Sequence, residues 1–327
     1  TRPRSRALRG AAVLGLLLAV AGCDAFTSPE ARIARAETQL AAGDYATAMR
    51  ELKLALESEP GNTEARLLLA RLSLQIGDSE TAQKELDRAL EAGLDPQQVV
   101  EFRYEVLAAR DAFERIVSEL DRETGLTEAR RLSLRGRALT ALGRLAEGEA
   151  TLTAAAEVAP DDAWVAQELA RNLLRQQRDA EAEMAVERAL QLDSRAARAW
   201  LLKAALQLRR ADHSGAAASF RSALEAGPAA LTYPEQVGAE AGLVDAHIQL
   251  GELEEAARRL AALRQRAPGT AVSHYAAGRL LTAQGDFAAA QNELRQALVL
   301  APGHVPTRLL LATVLMSQGQ VEQAKAE

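Results

Sequence analysis

Apolar and small residues return along this chain at helical steps. Tyr45, Ala48, Leu52 and Ala55 follow one another at intervals of three, four and three, with Arg50, Glu51, Lys53 and Glu57 filling the gaps. That spacing puts the four on one face of a helix. A turn pair, Gly43 and Asp44, precedes them and Pro60 follows, so the segment predicts a short helix with a punctuated start and stop. The arrangement restarts at Gly77, and equivalent turn positions fall at Asp111, Gly143, Gln177, Ala211, Gly251, Gly285 and Gly319, spaced by 34, 32, 34, 34, 40, 34 and 34. Repetition at this period is the signature of stacked helix-turn-helix units.

Seven residues before most of the turns stands a small residue: Ala36, Ala70, Gly136, Ala170, Ala204, Gly278 and Ala312. Each unit therefore reads as two antiparallel helices with alanine or glycine where the backbones come closest and leucine between them. The second-helix close-approach positions are Ala48, Ala82, Ala182, Ala216, Ala256 and Ala290. The third unit, roughly residues 97–128, departs from the pattern, with Tyr104 where a small residue belongs and Ile116 in place of alanine. The seventh carries about six extra residues around 230–236, Pro234 among them, and has Val244 at the small position; a longer loop is expected there.

These residues resemble the tetratricopeptide repeat. Ala36, Gly43, Tyr45, Ala48, Leu52, Ala55 and Pro60 match it in the first unit, Trp200, Ala204, Ala216, Phe220, Ala223 and Pro228 in the sixth, and Gly278, Gly285, Phe287, Ala290, Leu294, Ala297 and Pro302 in the eighth. The resemblance implies an all-α chain, a right-handed α-solenoid of tandem helix-turn-helix repeats over residues 29–327. About eight and a half repeats are expected, with the third degenerate and the last incomplete. A solenoid whose final unit stops inside its second helix reads as the front part of a longer protein.

The first 22 residues have a different character. Arg2, Arg4, Arg6 and Arg9 precede an apolar run of about a dozen residues ending in V-A-G-C, Val20 to Cys23. A basic start, a short apolar stretch and a small-residue end describe an export signal, which is excluded from the fold. The ending resembles the lipobox of bacterial lipoproteins, which implies cleavage before Cys23 and lipidation of its thiol. Residues 23–28 then form the lipidated N-terminus and a short linker, with Ser28 as the N-cap and Pro29 at the first helical position of the solenoid. Cys23 is the one cysteine in the chain, so no internal disulfide is available. The implied location is the bacterial cell envelope, lipid-anchored and facing the periplasm, with inner and outer membrane both open.

Charge narrows the partners. The export signal removes four of 39 basic residues and no acidic ones, leaving 35 against 45, a balance of −10. Such a chain is a poor match for nucleic acid, and with aromatic residues at 3% it lacks the stacking platforms that single strands need. Chemistry is equally sparse. His213, His247, His274 and His304 lie in different units and pair with no second ligand at metal spacing. Neither G-x-x-x-x-G-K-S/T nor G-x-S-x-G occurs. No enzyme, metal or cofactor is expected.

A closer likeness lies in the order of features. The lipobox, then S-P-E-A-R-I-A-R-A-E-T-Q-L-A-A-G-D-Y, then A-L-E-A-G-L-D-P leading into the degenerate third unit, resemble the tetratricopeptide lipoprotein of the PEP-CTERM/exosortase system over roughly residues 23–190. That likeness implies an anchored scaffold for proteins or peptides, in exopolysaccharide-linked protein export or sorting. The alternative is a component handling an anionic polysaccharide. In tetratricopeptide repeats the residue after the small position of each first helix faces the concave side; here these are Glu37, Arg71, Arg137, Arg171, Ala205, Asp245, Arg279 and Thr313. Arg71, Arg137, Arg171 and Arg279, with Arg175 one turn further on, are candidates for binding a carboxylate-bearing peptide or an acidic glycan. The competing reading is a solvated face on which Glu168 and Asp245 pair with them.

Overall fold

In the computed structural model, residues 27–227 and 229–327 are described; the export signal, Cys23 and Pro228 lie outside them. The described residues form helices and turns throughout, arranged as tandem antiparallel pairs. Contacts divide the chain into two compact units, one of residues up to 73 with 80–98, the other of residues 74–79 with 99–327.

The first unit contains α1 (Pro29–Ala42), α2 (Tyr45–Ser58), most of α3 (Thr63–Gln75) and α4 (Ser79–Glu91). Helix α1 starts as the sequence predicts: Ser28 Oγ accepts from the Ala31 N–H at 3.3 Å, and Pro29 occupies the first turn, where its missing donor costs nothing. Ala36, Ala48, Leu52 and Ala55 are fully buried, so the period-derived face is the core face. An ion pair recurs within each repeat, Arg32 with Glu51 at 3.2 Å and Arg66 with Glu85 at 2.6 Å, in both cases nineteen residues apart.

The second unit runs through α5 (Val100–Ala109), α6 (Phe113–Glu119), α7 (Glu128–Ala141), α8 (Leu145–Val158), α9 (Ala163–Arg175), α10 (Asp179–Leu192) and α11 (Ala197–Arg209). It continues with α12 (His213–Glu225), α13 (Tyr233–Gln249), α14 (Leu253–Arg266), α15 (Ala271–Gln284), α16 (Phe287–Leu300), α17 (Val305–Ser317) and α18 (Val321–Ala326). Irregularity falls where the pattern broke. In the third repeat Tyr104 and Ile116 are both buried at positions meant for small residues, and α6 lasts seven residues before a 3-10 turn, Leu120–Arg122. Bulky side chains at both points keep the two backbones from the close approach that alanine permits.

The insertion before the seventh repeat is a partial correction. The described residues 226–227 and 229–232 lie outside helices, but 233–236 are the first turn of α13, a helix of 17 residues against 13 or 14 for most of the others. Pro234 fits in a first turn, and Thr232 with Glu235 closes a capping box there. Leu231 from the loop is buried beside Ala197 and Ala223.

All nine turn positions read from the sequence have left-handed backbone: Gly43, Gly77, Gly143, Gly251, Gly285 and Gly319, and also Asp111 (φ 55°), Gln177 (φ 61°) and Ala211 (φ 58°). The spacing thus located the turns even where glycine is absent.

Candidate functional site

Within the second unit, four of the six consecutive pairs of first helices touch one another: α7 with α9, α9 with α11, α13 with α15, and α15 with α17. Consecutive second helices make no contact of that extent among the described residues. First helices therefore line the tighter, inward-curving side, where their polar residues face a shared groove.

Six charged residues come together there, Arg137, Arg171, Arg198, Glu105, Glu168 and Glu235. Arg137 on α7 is half-buried and makes no hydrogen bond or ion pair with any described residue. Burial lowers its guanidinium below the usual arginine value; the charges of Glu168 and Glu105 oppose that shift, and those of Arg171 and Arg198 reinforce it. Arg171 places Nε 3.3 Å from Glu168 Oε2, and Glu168 is itself buried, with Gln167 donating to its other oxygen at 3.3 Å. Arg198 at the start of α11 donates from Nε to Glu235 Oε1 at 2.8 Å and from Nη2 to Oε2 at 3.2 Å. Burial pulls the Arg198 guanidinium down, but the hydrogen bonds and charge of Glu235, with Glu105 and Glu168, more than offset this and hold it above its ordinary value. Burial pushes the Glu235 carboxyl up, and Arg198 together with Thr232 outweighs that and holds it low. Beside this cluster Arg130 lies 4.2 Å above the Trp164 ring and pairs with Glu101 at 2.7 Å.

Of the arginines singled out from sequence, Arg137 and Arg171 belong to this cluster. Arg71 is exposed on α3, in the other compact unit. Arg175 turns away: its Nη1 donates to the Thr140 carbonyl at 2.7 Å and the Ala141 carbonyl at 3.3 Å, at the C-terminal end of α7. The last carbonyls of a helix lack i+4 donors, and the Thr140 one accepts only from the turn, from Gly143 N–H at 3.1 Å, so a guanidinium is well placed there and Arg175 leaves the strip. Asn172 reinforces the same junction by donating to Thr140 Oγ1 at 2.7 Å and the Leu145 carbonyl at 3.1 Å. Gly148 replaces the usual alanine there because a Cβ would lie 2.8 Å from Asn172 Nδ2 and 2.9 Å from Thr140 Oγ1. Arg279 is ion-paired with Asp245, the competing reading of this face.

Sequence reasoning missed Glu105, Arg198, Glu235, Trp164 and Arg130. A signal for three of them was present: Arg130, Trp164 and Arg198 are each 34 residues apart, one register along the starts of successive first helices. Glu105 was hidden because Tyr104 removed the small residue that marks the position.

The histidines are apart from this cluster and from one another. His247 meets Glu252 at 2.7 Å, His274 meets Glu293 at 2.7 Å, and His304 meets Thr307 at 2.5 Å. Among the described residues no set of three metal-ligating side chains is grouped to hold an ion, and no helix is long and apolar enough to cross a membrane.

Two family models, both described as tetratricopeptide repeat, match the chain, one over residues 39–100 and 281–327, the other over 168–230 and 241–303. Together they span more than half of it. The chain belongs to the tetratricopeptide-repeat family. Its fold is similar to that of the APC/C hetero-tetramer Cut9-Hcn1, with a TM-score of 0.60 at 14% identity over 90% of this chain and 57% of that one. This chain therefore spans little more than half of that relative. A tetratricopeptide repeat protein from Parabacteroides merdae aligns with a TM-score of 0.44 at 16% identity, over 88% of this chain and 98% of that one. YrrB, described as having an unusual peptide-binding site, gives 0.44 at 18% identity over 60% and 95%. No curated protein matches. At these identities the likeness is one of fold, and the tetratricopeptide groove must be read from its own side chains.

Proposed function

We propose that this tetratricopeptide-repeat protein is a scaffold that binds a protein or peptide partner along the first-helix face of its second unit, at Arg137 and Arg171. The observation that carries this reading is Arg137, a half-buried guanidinium with no hydrogen bond or ion pair among the described residues, beside Arg171 and Arg198. An arginine partly withdrawn from water, with Glu168 and Glu105 near but neither hydrogen-bonded to it, can still take up a carboxylate, and its planar fork suits one. The double change Arg137→Ala and Arg171→Ala is expected to weaken capture of acidic peptides in a salt-dependent way while helicity and melting temperature stay close to the parent. Equal capture at low salt by two folded proteins returns these arginines to a solvated face.

The setting proposed for this scaffold is the bacterial cell envelope, with Cys23 lipidated and the solenoid facing the periplasm, in protein export or sorting of the PEP-CTERM/exosortase kind. The basic, apolar and V-A-G-C sequence up to Cys23 supports it. A lipid-anchored form requires Cys23, so Cys23→Ser is expected to abolish both processing and labelling by a palmitate analogue, and label persisting in the serine variant refutes the anchor. An acidic polysaccharide is the alternative partner. Retention on an immobilised acidic glycan, with loss in the same double variant and indifference to acidic peptides, favours it.

A further inference from the structure

We infer that Glu235 is a built-in anion of the groove: it occupies Arg198 and so sets how strongly the face accepts an acidic peptide. The inference rests on the groove reading above and adds a residue that tunes it.

The geometry comes from the six-residue insertion. Counting nine residues back from the close-packing position of the first helix reaches Gly61, Asp161, Gly269 and Gly303 in ordinary repeats, all in turns. In the seventh repeat the same count from Val244 reaches Glu235, which the added turn of α13 carries on a helix. This turn projects a carboxylate onto Arg198 of the preceding repeat with two hydrogen bonds, 2.8 and 3.2 Å. Glu235 also accepts from Thr232 N–H at 2.7 Å and Thr232 Oγ1 at 3.0 Å, so the cap of α13 fixes where the carboxylate points. The pair remains open to solvent, with the Arg198 side chain 40% and the Glu235 side chain 31% exposed. A ligand carboxylate can therefore reach Arg198, and it must compete with Glu235 to hold it. Arg171 lies 3.3 Å from Glu168 without a hydrogen bond, which leaves Arg137 as the cluster's one cation with no ion pair among the described residues.

The capping box supplies a clean test, because glutamine serves at its third position as glutamate does. Glu235→Gln keeps the cap and removes the charge. The probe is a fluorescein-labelled hexa-aspartate peptide, with hexa-asparagine as the neutral control, titrated by fluorescence anisotropy at low salt. The variant is expected to bind hexa-aspartate about tenfold more tightly than the parent, with no change for hexa-asparagine, since a charge-assisted pair with a freed guanidinium is of that size. The gain should shrink as salt is added and vanish in Glu235→Gln/Arg198→Ala. Far-UV circular dichroism and melting check that all variants keep the parent fold. A folded Glu235→Gln that binds hexa-aspartate no better than the parent overturns the inference, as does a gain that survives loss of Arg198. The groove reading fails on a different comparison, that of the parent with Arg137→Ala/Arg171→Ala.

Discussion

Ala211 is the position at which one substitution should make this protein more stable. Its φ of 58° is left-handed, a region that places the Cβ of an L-residue against the following carbonyl at a cost of about 1–2 kcal/mol. Glycine escapes that cost but has more freedom to lose on folding, by about 0.5–1 kcal/mol. The difference predicts that Ala211→Gly raises stability by about 1 kcal/mol or a little less. Nothing else at the turn needs to change, because its hydrogen bonds, Ala211 N–H to the Leu208 carbonyl at 3.0 Å and Asp212 N–H to the Gln207 carbonyl at 2.9 Å, are made by the backbone. Gly285 provides the mirror experiment. It occupies the equivalent turn with φ 81°, and a Cβ there would meet nothing within 4 Å, so Gly285→Ala isolates the dihedral cost and should lose about 1 kcal/mol. Urea denaturation followed by far-UV circular dichroism reads both as midpoint shifts at unchanged slope. An unchanged or lower midpoint for Ala211→Gly, or no loss for Gly285→Ala, refutes the assignment of strain to these turns.

Two further perturbations test the packing and the ion pairs. Ala290 is fully buried against Leu294, Leu311 and Leu315, so Ala290→Arg should cost roughly 3 kcal/mol or more by overpacking and charge burial; an unaltered melting curve would mean the close-approach register is misassigned. Burial pushes the Glu293 carboxyl up, but the hydrogen bonds from His274 and Arg264 outweigh it and hold it below the ordinary 4.5. A depressed carboxyl stabilises the fold above its unfolded value and loses that contribution as pH falls through its folded value. The parent should therefore lose more stability than Glu293→Gln as pH drops below about 4.5, and parallel denaturation midpoints across that range would exclude the linkage.

The repeat register was legible in the sequence by itself, because it depends on interactions within about one turn of helix and on one fixed distance between paired helices. Ala48, Ala82, Ala182, Ala216, Ala256 and Ala290 are all buried, and the turns at Asp111, Gln177 and Ala211 were located by period alone. Steric demand at a backbone contact admits few residue types, so it leaves a strong periodic mark. The places of irregularity were legible too, at Tyr104 and at the six-residue excess, but not their outcome. Whether inserted residues become loop or helix turned on Thr232 and Glu235 finding each other, and on Leu231 finding Ala197 and Ala223 to bury against. The groove was the least legible part. Arg137, Arg171, Arg175 and Arg279 look alike in sequence, yet one pairs with no described residue, one lies against buried Glu168, one caps α7 and one pairs with Asp245. A long flexible side chain reaches several ångströms from its backbone: Arg171 meets Glu168 on its own helix, whereas Arg175 and Arg279 meet groups 34 or 35 residues away in a neighbouring repeat. Local sequence fixes where such a side chain starts; the packing of one repeat on the next decides which charge it meets.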